Sequence, residues 1–404
     1  MGTNIQRPLK QWALNAPFFP KHMVFIIGPR QCGKTTLVKR FLTDRFSEKD
    51  AAAHYFNWDN ARVRAAYRAN PYFFEALQHP GSRVPIVFDE IHKMKSWKNY
   101  LKGAYDSLGE QFRFLVTGSG RLDLFQRGGD SLAGRYDPFF LMPLVPSEIE
   151  SRKPSKTLSA GTLLGARPLP ETTVSAWETF GGFPEPFLSG KEAAVKRWWA
   201  QYKIRVAEED VRDLTRIEAI DKVRDLMEIL PSRTGSPLSL NALRGDLEVA
   251  HASVANYIRT LQQVFLIFSV PPYSRKIARS IKKEAKAYFF HHPAVNDAGG
   301  RFENMVAILL KRWTHFATES GNGEYSLHYV RDQDRREVDF LITREKEPHL
   351  LFEAKRSDTA FTTAGLYYHH KLEVPLVQIV RSPDIAIRRK EGCVVSIHKL
   401  ASIC

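Results

Sequence analysis

The stretch at residues 23–36, MVFIIGPRQCGKTT, decides the fold of the first part of the chain. Its opening run, MVFIIG, is apolar and contains β-branched residues, which predicts a buried strand of a parallel sheet that ends in a loop. Gly28 and Gly33 permit backbone angles that other residues avoid, so this loop can turn tightly. Residues 35–42 then continue as a predicted helix. We therefore expect a strand, a glycine-bounded loop and a helix in direct succession.

The loop sequence, GPRQCGKT, fits the pattern G-x-x-x-x-G-K-[ST] at every fixed position. Such a loop directs successive backbone N–H groups at phosphate oxygens, and the positive end of the following helix adds to the attraction. Lys34 is placed to reach the β- and γ-phosphates of ATP, and the Thr35 hydroxyl is placed to ligate Mg²⁺. The predicted nucleotide-binding residues of the loop are Gly28, Pro29, Arg30, Gln31, Cys32, Gly33, Lys34, Thr35 and Thr36.

A second apolar strand, VPIVFD at residues 84–89, ends in an acidic pair. Asp89 at its tip can hold the Mg²⁺ through water, and Glu90 is placed to polarise the attacking water. A solvated strand end would show the same two residue types, but the phosphate-binding loop upstream favours a catalytic role. The pair predicts phosphoryl transfer from ATP to water.

A third apolar strand, FRFLVTG at residues 112–118, ends among small and hydroxyl-bearing residues. Thr117 or Ser119 could sense the γ-phosphate from this tip, although a simple turn would also contain such residues. The segment SLAGR at 131–135 follows. An arginine that enters a neighbouring subunit's ATP site would stabilise transition-state charge. Arg135 is the first candidate for this role and Arg121 the second; the alternative is an arginine paired with a structural carboxylate.

Length and composition limit the remaining possibilities. The 404 residues predict two to four domains, and the net charge of +15 favours polyanionic partners over neutral ones. A protein that is merely basic remains the alternative. There is no run of about 18 apolar residues, so we expect no membrane partner. Three cysteines without a CxxC spacing predict neither a disulfide framework nor a zinc site and suit a reducing cytoplasm.

The segments GPRQCGKTT, VFDEIHK, VTGSG and SLAGR, in this order, resemble a bacterial and archaeal family of AAA-type ATPases. Members of that family carry a helical region, a winged helix and a C-terminal domain of unknown function. The segment GGFPE at 181–185 and the later EVDF and FEAK segments are similar to that second part. The resemblance implies a homo-oligomer, for which a ring is one possible form, with Arg135 acting in trans.

Residues 231–290 form the winged-helix candidate. Two helix-like stretches at 238–249 and 253–267 are joined by a short turn, and strands are predicted at 268–274 and 287–291. Between the strands lies a segment with six basic residues and one acidic residue. Helix-turn-helix units place their second helix in a DNA groove, and a basic wing would contact phosphate, although many such units only pack between domains. The predicted DNA-binding residues are Asn256, Arg259 and Gln263 on the helix and Arg275, Lys276, Arg279, Lys282, Lys283 and Lys286 in the wing.

The C-terminal part contains a carboxylate constellation. Glu303 lies in a predicted helix, Asp339 in the alternating strand EVDFLI, and Glu353 and Lys355 at the end of another strand. Carboxylates on neighbouring strands can converge on one Mg²⁺, which would activate water. The order resembles the PD-(D/E)XK nuclease superfamily, which includes restriction enzymes and Holliday junction resolvases. Three interpretations stay open: a metal-dependent nuclease, a nuclease-like fold that only grips nucleic acid, and a surface salt-bridge network.

The sequence thus predicts an α/β protein. Its expected parts are a P-loop parallel-sheet ATPase domain at 1–150, a linker at 151–173, a helical region at 174–230, the winged helix at 231–290 and a restriction-endonuclease-like α/β domain at 291–404. The leading hypothesis is a cytoplasmic, Mg²⁺-dependent ATPase that binds DNA rather than RNA and remodels, translocates on or processes it. Branched DNA is suggested by the resemblance to resolvases. The competing hypothesis is an ATP-dependent regulatory switch that acts on a protein partner, with the nuclease-like fold used only for binding.

Overall fold

A computed structural model describes residues 5–15, 17, 19–77, 82–118, 132–212, 219–274 and 284–404. The chain divides into two compact units. The first unit is Arg7–Pro143, and the second is Leu144–Cys404 together with residues 5 and 6. The protein is α/β, as predicted, and each unit is described below by itself.

The first unit is built on a five-stranded sheet with the strand order β2-β3-β4-β1-β5, in which every neighbouring pair is parallel. The strands β1 and β3 are buried along their whole length, as expected for a parallel sheet covered on both faces. This confirms the predicted parallel sheet, although β2 and β5 were not predicted. The strands are β1 (Met23–Ile27), β2 (Tyr55–Asn57), β3 (Val84–Asp89), β4 (Phe112–Gly118) and β5 (Tyr136–Phe140).

Helices follow the strands of this sheet. The first helix packs Leu37, Val38 and Phe41 into the core against β1. Side-chain oxygens of Ser47 and Asn60 accept backbone N–H bonds at the starts of the next two helices, which satisfies donors that the helix itself leaves unpaired. The helices of the first unit are a short π-helix (Lys10–Asn15), α1 (Lys34–Thr43), α2 (Glu48–Ala53), α3 (Ala61–Ala69) and α4 (Trp97–Leu108).

The second unit begins with helices. Residues 151–173, expected to be a linker, are instead a packed segment. Leu158, Leu163 and Leu169 are buried, and the Trp313 indole N–H donates to the Ser155 carbonyl at 2.9 Å. The leucines lack helical or strand periodicity, so the sequence pattern did not indicate their burial. The helices here are α5 (Pro146–Ile149), α6 (Ala160–Gly165), α7 (Glu171–Phe180), α8 (Pro184–Ser189), α9 (Glu192–Arg205) and a π-helix (Val206–Val211).

Three helices and an antiparallel hairpin follow. Pro237, between the first and second of these helices, forms a single antiparallel bridge to Lys286 of the hairpin. The two strands of the hairpin pair along their whole length, from Ile267 opposite Phe289 to Val270 opposite Lys286. The elements are α10 (Ile220–Ile229), α11 (Leu240–Leu247), α12 (His251–Gln263), β6 (Ile267–Val270) and β7 (Lys286–Phe289).

The C-terminal part contains a six-stranded mixed sheet with the order β12-β13-β11-β10-β9-β8. The strands β8, β9 and β10 form an antiparallel meander, and β10, β11 and β13 are mutually parallel. A long buried helix precedes the meander. The elements are α13 (Ala298–Glu319), β8 (Tyr325–Arg331), β9 (Glu337–Arg344), β10 (Glu347–Lys355), α14 (Thr363–Leu372), β11 (Leu376–Val380), β12 (Ala386–Arg388), β13 (Gly392–Ser396) and α15 (Ile397–Ile403).

Two general features accompany this fold. None of the helices formed by the described residues combines the length and the apolarity that crossing a bilayer requires. The three cysteines, Cys32, Cys393 and Cys404, are free thiols and are all buried.

Candidate functional site

The phosphate-binding loop leaves β1 and enters α1, as the sequence predicts. A Cβ atom on Gly28 would lie 2.2 Å from the Leu141 carbonyl oxygen, so only glycine fits this position. Gly33 has φ 101°, a left-handed conformation that glycine adopts without strain. The Cys32 thiol is buried and donates to the Leu141 carbonyl at 3.3 Å. The loop is therefore held in place by the contacts of Gly28 and Cys32 with Leu141.

Lys34 is buried within this loop. Its ammonium donates to the carbonyl oxygens of Gly28 at 2.9 Å and Pro29 at 2.7 Å. Both acceptors are neutral, so the positive charge of the lysine is not cancelled by these bonds. Phosphate oxygens are stronger acceptors than carbonyls and can take their place. The residues around Lys34 therefore fit the polyphosphate of a nucleotide.

Asp89 lies at the tip of β3 and is 1% exposed. The Thr35 hydroxyl donates to its Oδ2 at 2.8 Å. In an octahedral Mg²⁺ site with bonds of about 2.05 Å, adjacent ligand oxygens lie about 2.9 Å apart. The two oxygens predicted to serve Mg²⁺ thus already have the spacing of adjacent ligands. An ion held there, either directly or through a water, fits the donor set.

Two further hydroxyls fix the Asp89 carboxylate. Thr117 on β4 donates to Oδ1, and Tyr55 on β2 donates to Oδ2. Burial, followed by the hydrogen bond to Asp89, raises the pKa of Tyr55, so its phenol keeps the proton that it donates. Tyr55 was not predicted, because its contact with Asp89 depends on the pairing of β2 with β3. Thr117 is fully buried and its hydroxyl bonds to the Asp89 carboxylate, which it therefore orients.

Glu90 follows directly and has a left-handed backbone, with φ 58°. Its N–H donates to the Thr117 carbonyl at 3.1 Å, which fixes this unusual conformation to the neighbouring strand. Its Oε2 lies 3.6 Å from His92 Nε2 and 3.8 Å from Lys93 Nζ. Burial raises the pKa of the Glu90 carboxyl, against the opposing effect of Lys34. A carboxylate with a raised pKa is a stronger base for a water proton.

Arg135 precedes β5. Tyr136 pairs with Met23, so Arg135 lies at the amino ends of the strands, whereas the phosphate-binding loop follows their carboxyl ends. Five strand residues separate these ends by about 17 Å, which is too far for Arg135 to reach the ATP site of its own chain. Its guanidinium donates to Asp106 at 2.7 and 3.2 Å. The other candidates in this region, Ser119 and Arg121, lie outside the described residues.

The C-terminal carboxylates come together from a helix and two strands. Phe340 lies opposite Phe352 in the antiparallel β9–β10 pair, so Asp339 and Glu353 are the next residues along the two strands. Asp339 Oδ2 accepts the Ala354 N–H at 2.9 Å. Glu303 on α13 approaches the same region, and burial followed by Asp339 raises the pKa of its carboxyl. Asp339 thus lies near both Glu303 and Glu353.

A lysine lies among them. Lys286 Nζ is 2.7 Å from Glu337, 3.2 Å from Glu303 and 3.9 Å from Asp339, and the residue is 1% exposed. Burial would lower the pKa of Lys286, but these carboxylates outweigh it and raise the pKa. The prediction that Lys286 contacts DNA phosphate is therefore wrong, because its ammonium faces inward.

The predicted metal site is not formed by this arrangement. In the part of the chain that the structure describes, no three His, Cys, Asp or Glu side chains are placed to hold an ion. Glu353 is 2% exposed, and its Oε1 accepts the Thr362 hydroxyl at 2.6 Å. Its Oε2 has no hydrogen-bond partner among the described residues. Lys355, at the end of β10, is partly exposed. Glu303 and Asp339 thus share a lysine where the prediction placed Mg²⁺, whereas Glu353 bonds to Thr362.

The helix-turn-helix residues have mixed exposure. Arg259 is exposed on α12, and Asn256 and Gln263 are partly exposed on the same helix. Val254, Tyr257 and other apolar residues of α12 are buried, so the polar residues occupy the outer face. The wing residues Arg275, Lys276, Arg279, Lys282 and Lys283 lie outside the described residues.

Two sequence families match the chain. Residues 20–150 match the family described as an AAA domain, and residues 173–292 match a domain of unknown function. The second match covers α7 to the β6–β7 hairpin, whereas the resemblance placed the domain of unknown function at the C-terminus.

Relatives along most of the chain are themselves uncharacterized. Proteins of Mycobacterium bovis and Mycobacterium tuberculosis are each 26% identical over 346 residues, which is 83% of this chain and 71% of the relative. A protein of Methanocaldococcus jannaschii is 23% identical over 359 residues, or 80% of this chain and 73% of the relative. These relatives therefore indicate no activity.

Solved structures give a weaker likeness. The Aeropyrum pernix Orc1 protein in complex with DNA has a TM-score of 0.31 and 15% identity, covering 74% of this chain and 91% of that one. A DNA polymerase III gamma subunit-related protein of Thermotoga maritima has a TM-score of 0.29 and 11% identity, covering 61% and 93%. TM-scores this low do not establish a shared overall fold. The matched family and the geometry of the loop instead identify residues 20–150 as an AAA-type P-loop ATPase domain.

Proposed function

We propose that this protein is a Mg²⁺-dependent ATPase that uses the energy of hydrolysis to act on DNA. One observation carries the ATPase part: Thr35, Asp89 and Glu90 are held together next to a lysine whose bonds go to neutral carbonyls. This set supplies a phosphate grip, a place for the cation and a base.

The chemistry follows from the position of each group. Lys34 exchanges its two carbonyl partners for oxygens of the β- and γ-phosphates, and the loop amides hold the remaining oxygens. Thr35 and Asp89 would hold a Mg²⁺ ion, which would supply positive charge to neutralise charge that develops on the phosphates. The hydroxyls of Tyr55 and Thr117 keep Asp89 oriented. Glu90 orients the attacking water and accepts its proton.

Completion of the site requires a second copy of the chain. Arg135 lies at the end of the sheet away from its own loop, so it can stabilise transition-state charge only in a neighbouring subunit. The bond to Asp106 holds its guanidinium at the surface of the unit, with the arginine side chain 29% exposed. We infer an oligomer in which Arg135 exchanges Asp106 for the phosphates of a neighbouring subunit; within one chain its bond to Asp106 is the pairing with a structural carboxylate that the sequence left open.

DNA is the proposed substrate because of charge and topology. The net charge of +15 favours a polyanion. A winged helix has the same order of elements as α10, the bridge at Pro237, α11, α12 and the β6–β7 hairpin. Arg259 is exposed on α12, as a residue of a recognition helix would be. We therefore infer that α12 and the basic wing contact the DNA while ATP hydrolysis moves or remodels it.

The test is the steady-state ATPase rate with and without duplex, single-stranded and branched DNA, together with binding to each DNA at several salt concentrations. We expect DNA to stimulate turnover and binding to weaken steeply with salt. Arg259→Ala should weaken binding, and Lys196→Ala, an exposed lysine on α9, serves as the charge-matched control. Unchanged turnover and the absence of salt-sensitive binding to every DNA would overturn the DNA assignment while leaving the ATPase assignment intact.

The alternative, a switch that acts on a protein partner, has less support. The large hydrophobic side chains exposed in the described ranges are Phe19, Leu188 and Ile204. Binding surfaces for proteins present contiguous apolar areas of several hundred Å², which three such residues do not supply.

A further inference from the structure

We propose that Lys286 is the resident cation of the carboxylate pocket in the C-terminal domain, so that this pocket holds no divalent metal ion. In this view the pocket fixes the β6–β7 hairpin to the domain and does not activate water. The inference rests on the geometry around Lys286 and does not depend on the proposed ATPase; only the use of the hairpin in DNA contact rests on the proposed function.

The position of the ammonium is the first step. Lys286 Nζ lies between Glu337 on β9 and Glu303 on α13, at 2.7 and 3.2 Å, with Asp339 at 3.9 Å. These are the distances of ion pairs and hydrogen bonds. A divalent cation that used Glu303 and Asp339 would need both carboxylates at about 2.0–2.6 Å, next to the fixed positive charge of the lysine. Like charges at this separation repel, and burial leaves little water to screen them.

The second step is that Glu303 is already engaged. The Tyr288 hydroxyl, from the same hairpin, donates to Glu303 Oε1 at 2.6 Å. Oε1 therefore accepts from both Lys286 and Tyr288, which are two residues apart on β7 and project to the same face of the hairpin. Oε1 of Glu303 is therefore already engaged as the acceptor for two side chains of the hairpin.

Asn304, the next residue of α13, adds to this joint between α13 and the β6–β7 hairpin. The Asn304 side chain accepts the Phe289 N–H and donates to the Phe289 carbonyl, each at 2.8 Å. It thus pairs with the backbone of β7 as a further strand would. On the same edge of the hairpin, the Leu238 N–H donates to the Ala285 carbonyl at 2.9 Å. The free edge of β7 is therefore held by both α13 and the segment around Pro237.

This attachment of β7 has a functional consequence. A wing that contacts DNA can transmit force only if its base is rigidly attached to the rest of the protein. The Lys286 ion pairs and the bonds of Tyr288 and Asn304 supply that attachment within the second unit. Glu303 and Asp339, which were predicted to bind metal, are thus two of the carboxylates that hold the hairpin.

The experiment removes the lysine and asks whether a metal site appears. Mn²⁺ binding to the nucleotide-free full-length protein is followed by the loss of the free-ion electron paramagnetic resonance signal. We expect the wild-type protein to bind Mn²⁺ no better than its Asp339→Asn variant. Lys286→Met should bind Mn²⁺ at least tenfold more tightly than wild type, and Lys286→Met combined with Asp339→Asn should lose this gain. Lys390→Met, at an exposed lysine, is the matched control and should behave as wild type.

Two results would overturn the proposal. One is Mn²⁺ binding by the wild-type protein that Asp339→Asn abolishes, and this comparison decides the question even if Lys286→Met does not fold. The other is a folded Lys286→Met variant, with wild-type far-ultraviolet circular dichroism, that gains no Mn²⁺ affinity, because the carboxylates left behind should then accept the ion.

Discussion

Each unit of this chain has a buried lysine near carboxylates, and the two lysines differ in the groups that hold them. Lys34 in the first unit bonds to the carbonyls of Gly28 and Pro29. Lys286 in the second unit pairs with Glu303 and Glu337. A lysine held by neutral carbonyls keeps its charge for an incoming phosphate, whereas a lysine held by carboxylates has its charge neutralised within the protein. The same residue types therefore form a ligand site in one unit and a structural joint in the other.

The carboxylates differ in the same way. Asp89 is held by the hydroxyls of Thr35, Tyr55 and Thr117, which orient it without cancelling its charge. Glu303 accepts from an ammonium and a phenol, so its charge is compensated. The groups around a carboxylate thus determine whether it is available to bind a metal cation. Four predictions test this contrast, from the largest expected effect to the smallest.

The largest effect is expected for Lys34→Ala. The substitution removes two hydrogen bonds from an ammonium to phosphate, each of which contributes about 1.5–3 kcal/mol. ATP affinity should fall by about 10²- to 10⁴-fold, measured by titration with a fluorescent ATP analogue. Lys49→Ala, at an exposed lysine on α2, is the control and should bind as wild type. Affinity within threefold of wild type would show that Lys34 does not grip the phosphates.

The next effect is expected for Glu90→Gln. The amide cannot accept the water proton, so turnover should fall by about 10²- to 10⁴-fold, the usual contribution of a general base. ATP affinity should stay close to wild type, because Glu90 does not contact the phosphates in this account. Steady-state phosphate release and equilibrium binding measure the two quantities separately. Glu110→Gln, at an exposed glutamate, is the control, and unchanged turnover in Glu90→Gln would show that the base is another residue.

A stability effect is expected for Lys286→Ala. Removing the buried ammonium leaves partly exposed carboxylates without their counter-charge, which costs about 1–3 kcal/mol in the free energy of unfolding. Urea unfolding monitored by hydrogen exchange within β7 (Lys286–Phe289) and α13 (Ala298–Glu319) reports on the joint directly. Lys390→Ala should change neither. A loss below about 1 kcal/mol would mean that the ion pairs of Lys286 do not hold the hairpin in place.

The smallest effect is a pH dependence confined to the second unit. Burial lowers the pKa of His292 and of His328 to about 4, and it also lowers the pKa of His291 and His315. The unfolded chain takes up protons below about pH 6.5, whereas the folded chain does not until its own lower pKa values are reached. The contribution of these histidines to the free energy of unfolding is therefore complete above pH 6.5 and falls as the pH drops toward 4, whereas Glu303, whose pKa is raised to about 7, contributes in the opposite sense.

Each of these histidines should remove on the order of 1 kcal/mol between pH 6.5 and pH 5.5. Hydrogen exchange of α7 (Glu171–Phe180) follows this loss, because the Trp177 carbonyl contacts the His292 ring at 2.8 Å. His292→Gln should flatten the dependence, and substitution of the exposed His251 should not. Exchange protection that stays constant from pH 7.5 to pH 5 would contradict the assignment of neutral buried imidazoles.

The phosphate site was predictable from sequence because its determinants are local. Gly28, Gly33, Lys34 and Thr35 lie in one loop, and the apolar strand before it fixes the direction of the helix. Asp89 could be predicted because it ends an apolar run. Tyr55 could not, since its contact with Asp89 depends on which strand pairs with β3.

The joint around Lys286 was missed for a different reason. Lys286 ends a basic run in the sequence and was therefore grouped with the wing. A signal was present, because Lys286 is followed at once by Ala-Tyr-Phe-Phe and so opens an apolar strand. Its partner Glu337 was not predicted either, although it lies two residues before Asp339 on the same face of β9. Which cation a carboxylate cluster holds is a question of tertiary contact, and spacing along the chain does not answer it.

The most direct test of the contrast is the Mn²⁺ stoichiometry of the wild-type protein with and without a non-hydrolysable ATP analogue. The account predicts one tightly bound Mn²⁺ per chain in the presence of the analogue, which is lost in Lys34→Ala, and no tightly bound Mn²⁺ without nucleotide. A Mn²⁺ ion that is bound without nucleotide, persists in Lys34→Ala and disappears in Asp339→Asn would contradict it, because the second pocket would then be a metal site.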